Sequence, residues 1–166
     1  MDRLLWSKGL LKSTLTVTRN AEQIGAIRWN GLLSSDAIAT LKGRRFVLRR
    51  EFFLSKLELY DATNQSLMAS MMINLFNPRT DLILNGKRFE LEIKNFWQSR
   101  WAWKFNGQEI IVFTSHEFLT KDSGSIDIFS SDSEELEILI LLGLFVRNQL
   151  VLFMLFIALV VLFILI

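Results

Sequence analysis

Leu136-Glu-Ile-Leu-Ile-Leu-Leu-Gly-Leu-Phe-Val-Arg147-Asn-Gln-Leu150-Val-Leu-Phe-Met-Leu-Phe-Ile-Ala-Leu-Val-Val-Leu-Phe-Ile-Leu-Ile166 is the stretch whose reading decides the fold. Of its 31 residues 26 are apolar, and only Glu137, Gly143, Arg147, Asn148 and Gln149 interrupt them. A helix that is apolar all round must be enclosed by protein or by lipid. One span over 136–166 would run about 46 Å, well beyond a hydrocarbon core of roughly 30 Å. It would also hold Arg147 near its middle, which costs about 2.5–3.5 kcal/mol on insertion scales. Two jobs fit better. Residues 135–147 are expected to form a buried protein helix, and 149–166 a transmembrane segment. Leu150–Ile166 alone makes about 25 Å of helix, near the lower limit for a span. Its position reads as a tail anchor, with a domain over 1–148 in the cytoplasm and Arg147 close to the membrane.

The first of those helices needs a sleeve. Its start is legible as a capping box over Ser131–Glu134 or one residue later. That reading is preferred to a calcium cluster of Asp127, Asp132, Glu134 and Glu135, which lacks the register of an EF-hand loop. Upstream, the sequence alternates with period two. Leu15 and Val17, Phe46 and Leu48, then Phe89, Leu91 and Ile93, then Trp101, Trp103 and Phe105 each recur between more polar neighbours. Such alternation predicts half-buried antiparallel strands. Turn signals separate them at Arg19-Asn20, Lys42-Gly43, Asp61–Asn64, Asn85-Gly86 and Asn106-Gly107.

The strands also repeat. Leu41–Leu48 is similar to Leu84–Leu91, and Lys56–Asp61 to Arg100–Phe105, at spacings of 43 and 44 residues. Thr14–Asn20 reads as an earlier copy of the second of these. Repeated hairpins suggest a closed or wrapped sheet, which also removes exposed edges. The expected architecture is mainly β (α+β): an antiparallel closed barrel around the C-terminal hydrophobic helix, followed by a transmembrane segment.

Composition bounds the function. The chain of 166 residues is 51% hydrophobic, with a mean hydropathy of +0.30. Without the last 31 residues the rest is about 44% hydrophobic, an ordinary globular value. Nineteen Lys and Arg against 17 Asp and Glu give a net charge of +2, so nucleic acid is not an expected partner. There is no cysteine and one histidine, His116, which excludes thiol nucleophiles, disulfides and multi-histidine metal sites. No nucleophile elbow, P-loop or dinucleotide fingerprint occurs, so no catalytic residue, metal or cofactor is expected and the chain is not read as an enzyme. Phe96, Trp97, Trp101 and Trp103 could line a pocket, but their spacing favours barrel core or wall.

The hairpin Leu57-Glu-Leu-Tyr-Asp-Ala-Thr-Asn, the stretch Leu84-Asn-Gly-Lys-Arg-Phe-Glu-Leu, Trp101-Ala-Trp-Lys-Phe-Asn-Gly and the closing Glu135–Arg147 resemble the tubby C-terminal-like superfamily. That superfamily includes tubby, the LURP-one-related proteins and the phospholipid scramblases. The resemblance covers roughly residues 1–148. It implies a twelve-stranded barrel around a central helix, and a protein that binds phosphoinositide headgroups or associates with membranes. The chain departs from scramblases in having no cysteine cluster and no recognisable calcium segment after the helix.

One dense basic run, Lys42, Arg44, Arg45, Arg49 and Arg50, is the candidate surface for anionic phospholipid or a protein partner; a solvated hairpin face is the plain alternative. The leading expectation is thus a membrane-anchored, non-enzymatic tubby-like domain whose partner is the bilayer itself. The alternatives are scramblase-like lipid transport, and a soluble small-ligand-binding domain with the whole tail as barrel core.

Overall fold

In the computed structural model, the described residues are 2–9, 12–31, 34–51, 56–74, 77, 79–94, 99–117, 121–130 and 135–165. They form twelve strands and one helix. In chain order the strands are β1 (Asp2–Gly9), β2 (Thr14–Arg19), β3 (Glu22–Trp29), β4 (Ala37–Leu41), β5 (Arg44–Arg50) and β6 (Lys56–Asp61). They continue with β7 (Leu67–Met72), β8 (Arg79–Leu84), β9 (Lys87–Ile93), β10 (Arg100–Phe105), β11 (Gln108–Glu117) and β12 (Lys121–Ile128), before α1 (Leu136–Leu165).

The sheet order is β7-β6-β5-β4-β3-β2-β1-β12-β11-β10-β9-β8, every neighbouring pair antiparallel. The first and last strands are joined along the chain by β1 pairing with β12, Asp2 opposite Ile128 through Gly9 opposite Lys121. The sheet curls into a nearly closed barrel. Its seam lies between β7 and β8, where the Thr80 hydroxyl donates to the Met72 carbonyl at 2.7 Å.

The turns are the ones the sequence calls for. Lys42-Gly43, Asn85-Gly86 and Asn106-Gly107 each place both residues at positive φ, the signature of tight type I′ hairpins. The first hairpin turns on Asn20-Ala21, one residue beyond the expected Arg19-Asn20, and forces Ala21 to φ 68°. The repeat is physical as well as textual. β3, β7 and β11 each carry a bulge, with Ile24, Met68 and Ile110 as the extra residue opposite Val17/Thr18, Leu59/Tyr60 and Trp103/Lys104. A bulge bends and twists a strand locally. Recurring on every fourth strand, it helps the sheet wrap.

Inward positions follow period two: Leu4 and Trp6, Leu15 and Val17, Phe46 and Leu48, Leu57 and Leu59, Phe89 and Leu91, Trp101 and Trp103 are all buried. What they enclose is α1. Every residue from Ile138 to Leu150 is buried, whereas Leu155 to Leu165 are exposed. The two segments expected of the C-terminal stretch are therefore parts of one uninterrupted helix. The change at 147–150 is one of surroundings, not a break in the backbone. The expected capping box over 131–134 lies outside the described residues; the helix opens with the Leu139 N–H donating to the Glu135 carbonyl at 2.9 Å.

Two tryptophans fix the helix in its sleeve. The Trp103 indole N–H donates to the Leu139 carbonyl at 2.7 Å, and that of Trp101 to the Gly143 carbonyl at 3.1 Å. The spacing matches: four helical residues rise about 6 Å and two strand residues about 6.6 Å. Gly143 is required there. A β-carbon would stand 2.6 Å from Phe113 Cζ and 3.1 Å from Trp103 Nε1.

Candidate functional site: the polar collar at the helix exit

The two ends of the barrel differ. The β2–β3, β4–β5, β6–β7, β8–β9 and β10–β11 turns share the end where α1 begins. There the β8–β9 hairpin meets Glu135 through Lys87 Nζ at 3.1 Å and Asn85 Nδ2 at 3.2 Å. The β4–β5 hairpin meets Glu137 through Arg44 at 3.4 Å and Lys42 at 3.8 Å. Equivalent hairpins of the repeat thus grip the helix start from two sides, since Glu135 and Glu137 lie about 200° apart around its axis.

At the other end α1 leaves. Arg147, Asn148 and Gln149 are consecutive, so they point about 100° apart around the helix. Each meets a different part of the rim. Arg147 pairs with Asp122 of β12 and donates to the Ser115 hydroxyl of β11 at 3.2 Å. Its guanidinium lies over the rings of Trp6 and Trp101, at 5.1 and 5.2 Å. Lys8 of β1 donates to Asn148 Oδ1 at 2.5 Å and lies 4.9 Å over Trp29. Arg50 of β5 donates to Gln149 Oε1 at 3.0 Å. All three helix residues are buried, with Arg147 only 4% exposed.

The collar is electropositive: Lys8 and Arg147 face the carboxylate of Asp122, and Arg50 adds a third cation beside Gln149. Burial holds the Lys8 ammonium and the Arg50 guanidinium below their usual values. It pushes the Asp122 carboxyl up, against Arg147, Ser115 and Lys8, which pull it down. The collar also has spare donors. Lysine and arginine can only donate, so the amide oxygens of Asn148 and Gln149 must face them. Asn148 Nδ2, Gln149 Nε2 and Arg50 Nε are then left buried without an acceptor among the described residues. An arrangement of cations and free N–H groups at a rim can accept an anion or the oxygens of a polar headgroup.

The expected basic run is split by this geometry. β5 extends about 20 Å from Arg44 to Arg50 at 3.3 Å per residue. Lys42 and Arg44 lie at the helix start, Arg45 is exposed on the barrel wall, Arg49 stacks over Tyr60 at 5.2 Å, and Arg50 alone joins the collar. Arg147, expected near the membrane, is inside the rim. His116 is exposed near the end of β11. Trp101 and Trp103 are core; Phe96 and Trp97 lie outside the described residues. Among the described residues no group of three or more His, Cys, Asp or Glu could hold a metal.

The collar residues Lys8, Ser115 and Asp122 were not foreseen. The polar triplet 147–149 was the available signal, since buried polar groups need partners. Nothing local indicates which strands supply them. No protein-family model, no curated protein and no solved structure matches this chain.

Proposed function

We propose that the chain is a membrane-anchored, non-enzymatic binding domain of the tubby-like, LURP-one-like kind, its barrel held in the cytoplasm against the membrane it is anchored in. The observation that carries this reading is the change in α1 at its exit. The helix is long and apolar enough to cross a membrane, and from Leu155 to Leu165 it presents only exposed apolar side chains. Each large side chain left in water forgoes about 1.5–3 kcal/mol. Lipid removes that cost. The collar supports anionic phospholipid as the bound partner, because its cations and spare donors lie where the helix would enter the headgroup layer. Lipid transport is less well supported: Val151–Leu165 offers no polar side chain to line a path. A small-ligand site within the barrel is also less well supported. The crevice bounded by Leu91, Ile93, Trp101, Val146, Arg147 and Leu150 has no room for a water-sized molecule.

The test is vesicle flotation of the full chain, followed by an alkaline carbonate wash. Carbonate-resistant flotation is expected; release by carbonate would refute anchoring. For headgroup binding, Lys8→Gln with Arg50→Gln should reduce the preference for phosphatidylserine vesicles over neutral ones. An unchanged preference would refute the collar as the binding surface.

A further inference from the structure

The three cations of the collar are not equivalent. Lys8 and Arg147 share Asp122, which pairs directly with Arg147 and attracts the Lys8 ammonium through space. Arg50 has no such counter-charge. It is half-buried, and burial is the one influence on its guanidinium, with no carboxylate paired to it among the described residues. A cation that gives up water without gaining an opposite charge is costly to hold.

Its hydrogen bonds show what is missing. Arg50 Nη1 is taken by Gln149 Oε1 at 3.0 Å. The side-on edge of the guanidinium, which carries Nε, has no acceptor among the described residues. Neither has Nε2 of the same Gln149 amide, on a residue only 4% exposed. Arg3 shows the ordinary use of that edge in this molecule. Its Nε and Nη2 donate to the two carboxylate oxygens of Asp127, at 2.6 and 3.2 Å. Arg50 lacks such a pair of oxygens. A planar fork of this kind takes two oxygens of a carboxylate or a phosphate, and the Gln149 amide adds a neighbouring donor.

Lys8 and Asn148 do not converge on the same point. Asn148 and Gln149 point about 100° apart. β1 lies four strands from β5, about 19 Å along the wall. Depth favours phosphate over carboxylate. Gln149 stands two residues before Val151 and six before Leu155, where the exposed residues begin, so about 3–9 Å of axis separates it from the apolar half. A headgroup layer is about 5–8 Å thick. With the exposed half in hydrocarbon, Arg50 and Gln149 sit at the level of the lipid phosphates.

We infer that Arg50 and Gln149 form a phosphate site, one per chain, in which the side-on edge of Arg50 and Nε2 of Gln149 hold the oxygens of a single phosphate group. This rests on the collar reading above and deepens it, narrowing a charged rim to one residue pair and one ligand group. In a bilayer that group is the phosphodiester of a headgroup. A free phosphate ion offers the same oxygens, so both are titrated.

The full chain in dodecyl maltoside micelles is titrated with phosphatidylglycerol, with diacylglycerol of the same chains, and with inorganic phosphate. Bound ligand is counted by native mass spectrometry. One phosphatidylglycerol per chain is expected, and no diacylglycerol. Arg50→Lys keeps the charge and loses the fork. Gln149→Glu gives Arg50 an internal carboxylate that occupies the edge and repels phosphate. Each should weaken phosphatidylglycerol binding at least about tenfold, the loss of one charge-assisted pair. Arg45→Gln, which removes a charge from the same strand on the barrel wall, should change it less than about twofold. Inorganic phosphate bound in place of phosphatidylglycerol, and lost in the same two variants, supports the site with the free ion as its ligand. Phosphatidylglycerol binding unmoved in both variants overturns the inference; if Lys8→Gln abolishes that binding, the collar still stands as the headgroup surface. A chain that binds neither phosphate compound overturns the inference and the headgroup reading together, while carbonate-resistant flotation reports the anchor separately. Two variants of opposite design keep the outcome decisive if either misfolds.

Discussion

Replacing Gly143 by alanine sets two physical effects against each other, and their signs are opposite. In a helix interior, alanine is favoured over glycine by about 0.8–1.0 kcal/mol. A helix surrounded by lipid or water would show that gain. Inside the sleeve the new methyl would lie 2.6 Å from Phe113 Cζ and 2.8 Å from Cε2, closer than carbon atoms can approach. The neighbours cannot yield easily. Phe113 is fully buried and stacked on Trp101, ring centres 5.0 Å apart and planes 3° from parallel. Trp103 is held by its hydrogen bond to Leu139, and Trp101 by its bond to Gly143 itself. Overpacking of this kind costs about 1–3 kcal/mol, and displacing one indole N–H adds about 1 kcal/mol.

The net expectation is a loss of about 1–3 kcal/mol for Gly143→Ala, read from denaturant unfolding of the full chain in detergent micelles by tryptophan fluorescence. A second variant isolates the cause. Phe113→Leu removes the atoms that the methyl would strike, at a cavity cost of its own. Combined with Gly143→Ala, it should destabilise by at least about 1 kcal/mol less than the two separate losses predict. A stabilised Gly143→Ala would refute the reasoning, because it would mean that the helix around residue 143 is not enclosed by β10 and β11.

Trp103→Phe removes the hydrogen bond to Leu139 and leaves a void, so the same unfolding assay should show a loss of about 2 kcal/mol. Thr80→Val deletes the side-chain bond across the seam; amide hydrogen exchange should rise along β7 and β8 and stay unchanged in β2 and β3. Glu92 is held down to about 2 by Lys104 and Lys94. Its contribution to stability is present above its ordinary value of 4.5 and is lost as pH falls toward about 2. Wild type should therefore lose stability more steeply than Glu92→Gln across that interval, measured by urea midpoints, and parallel profiles would refute the assignment.

The parts of this fold that were legible in the sequence are local ones. Period-two runs became strands with Phe46, Leu48, Phe89 and Leu91 inside, because one face of each strand is buried and the other is not. Lys42-Gly43, Asn85-Gly86 and Asn106-Gly107 marked hairpins because glycine tolerates the positive φ that a tight turn demands. The Asn20-Ala21 turn was displaced by one residue in the sequence reading because it has no glycine to mark it. What was not legible depends on long-range register. Arg147 meets Asp122 and Asn148 meets Lys8, partners 25 and 140 residues away in sequence. Proximity along the chain also misled. Lys42 to Arg50 looked like one basic patch, yet a strand is the most extended way to arrange residues, and it carries the two ends of that run to opposite rims of the barrel.

The uninterrupted helix has a mechanical consequence. Had the chain turned at Arg147–Gln149, a barrel and an anchor could reorient independently. Instead the hydrogen-bonded backbone runs from Leu136 to Leu165, and the buried half is clamped at both ends. Glu135 and Glu137 are held by two hairpins at the start, and the collar holds the exit through β1, β5, β11 and β12. Four strands spread around the rim leave the helix little freedom to rotate or slide. The direction of the exposed half therefore sets the direction of the barrel. If that half crosses a bilayer, the same rim faces the same leaflet in every molecule, and Lys8 and Arg50 meet its headgroups together. The polar triplet at 147–149, which looked like the cost of a long apolar stretch, is then the element that ties the position of the barrel to the depth of the helix.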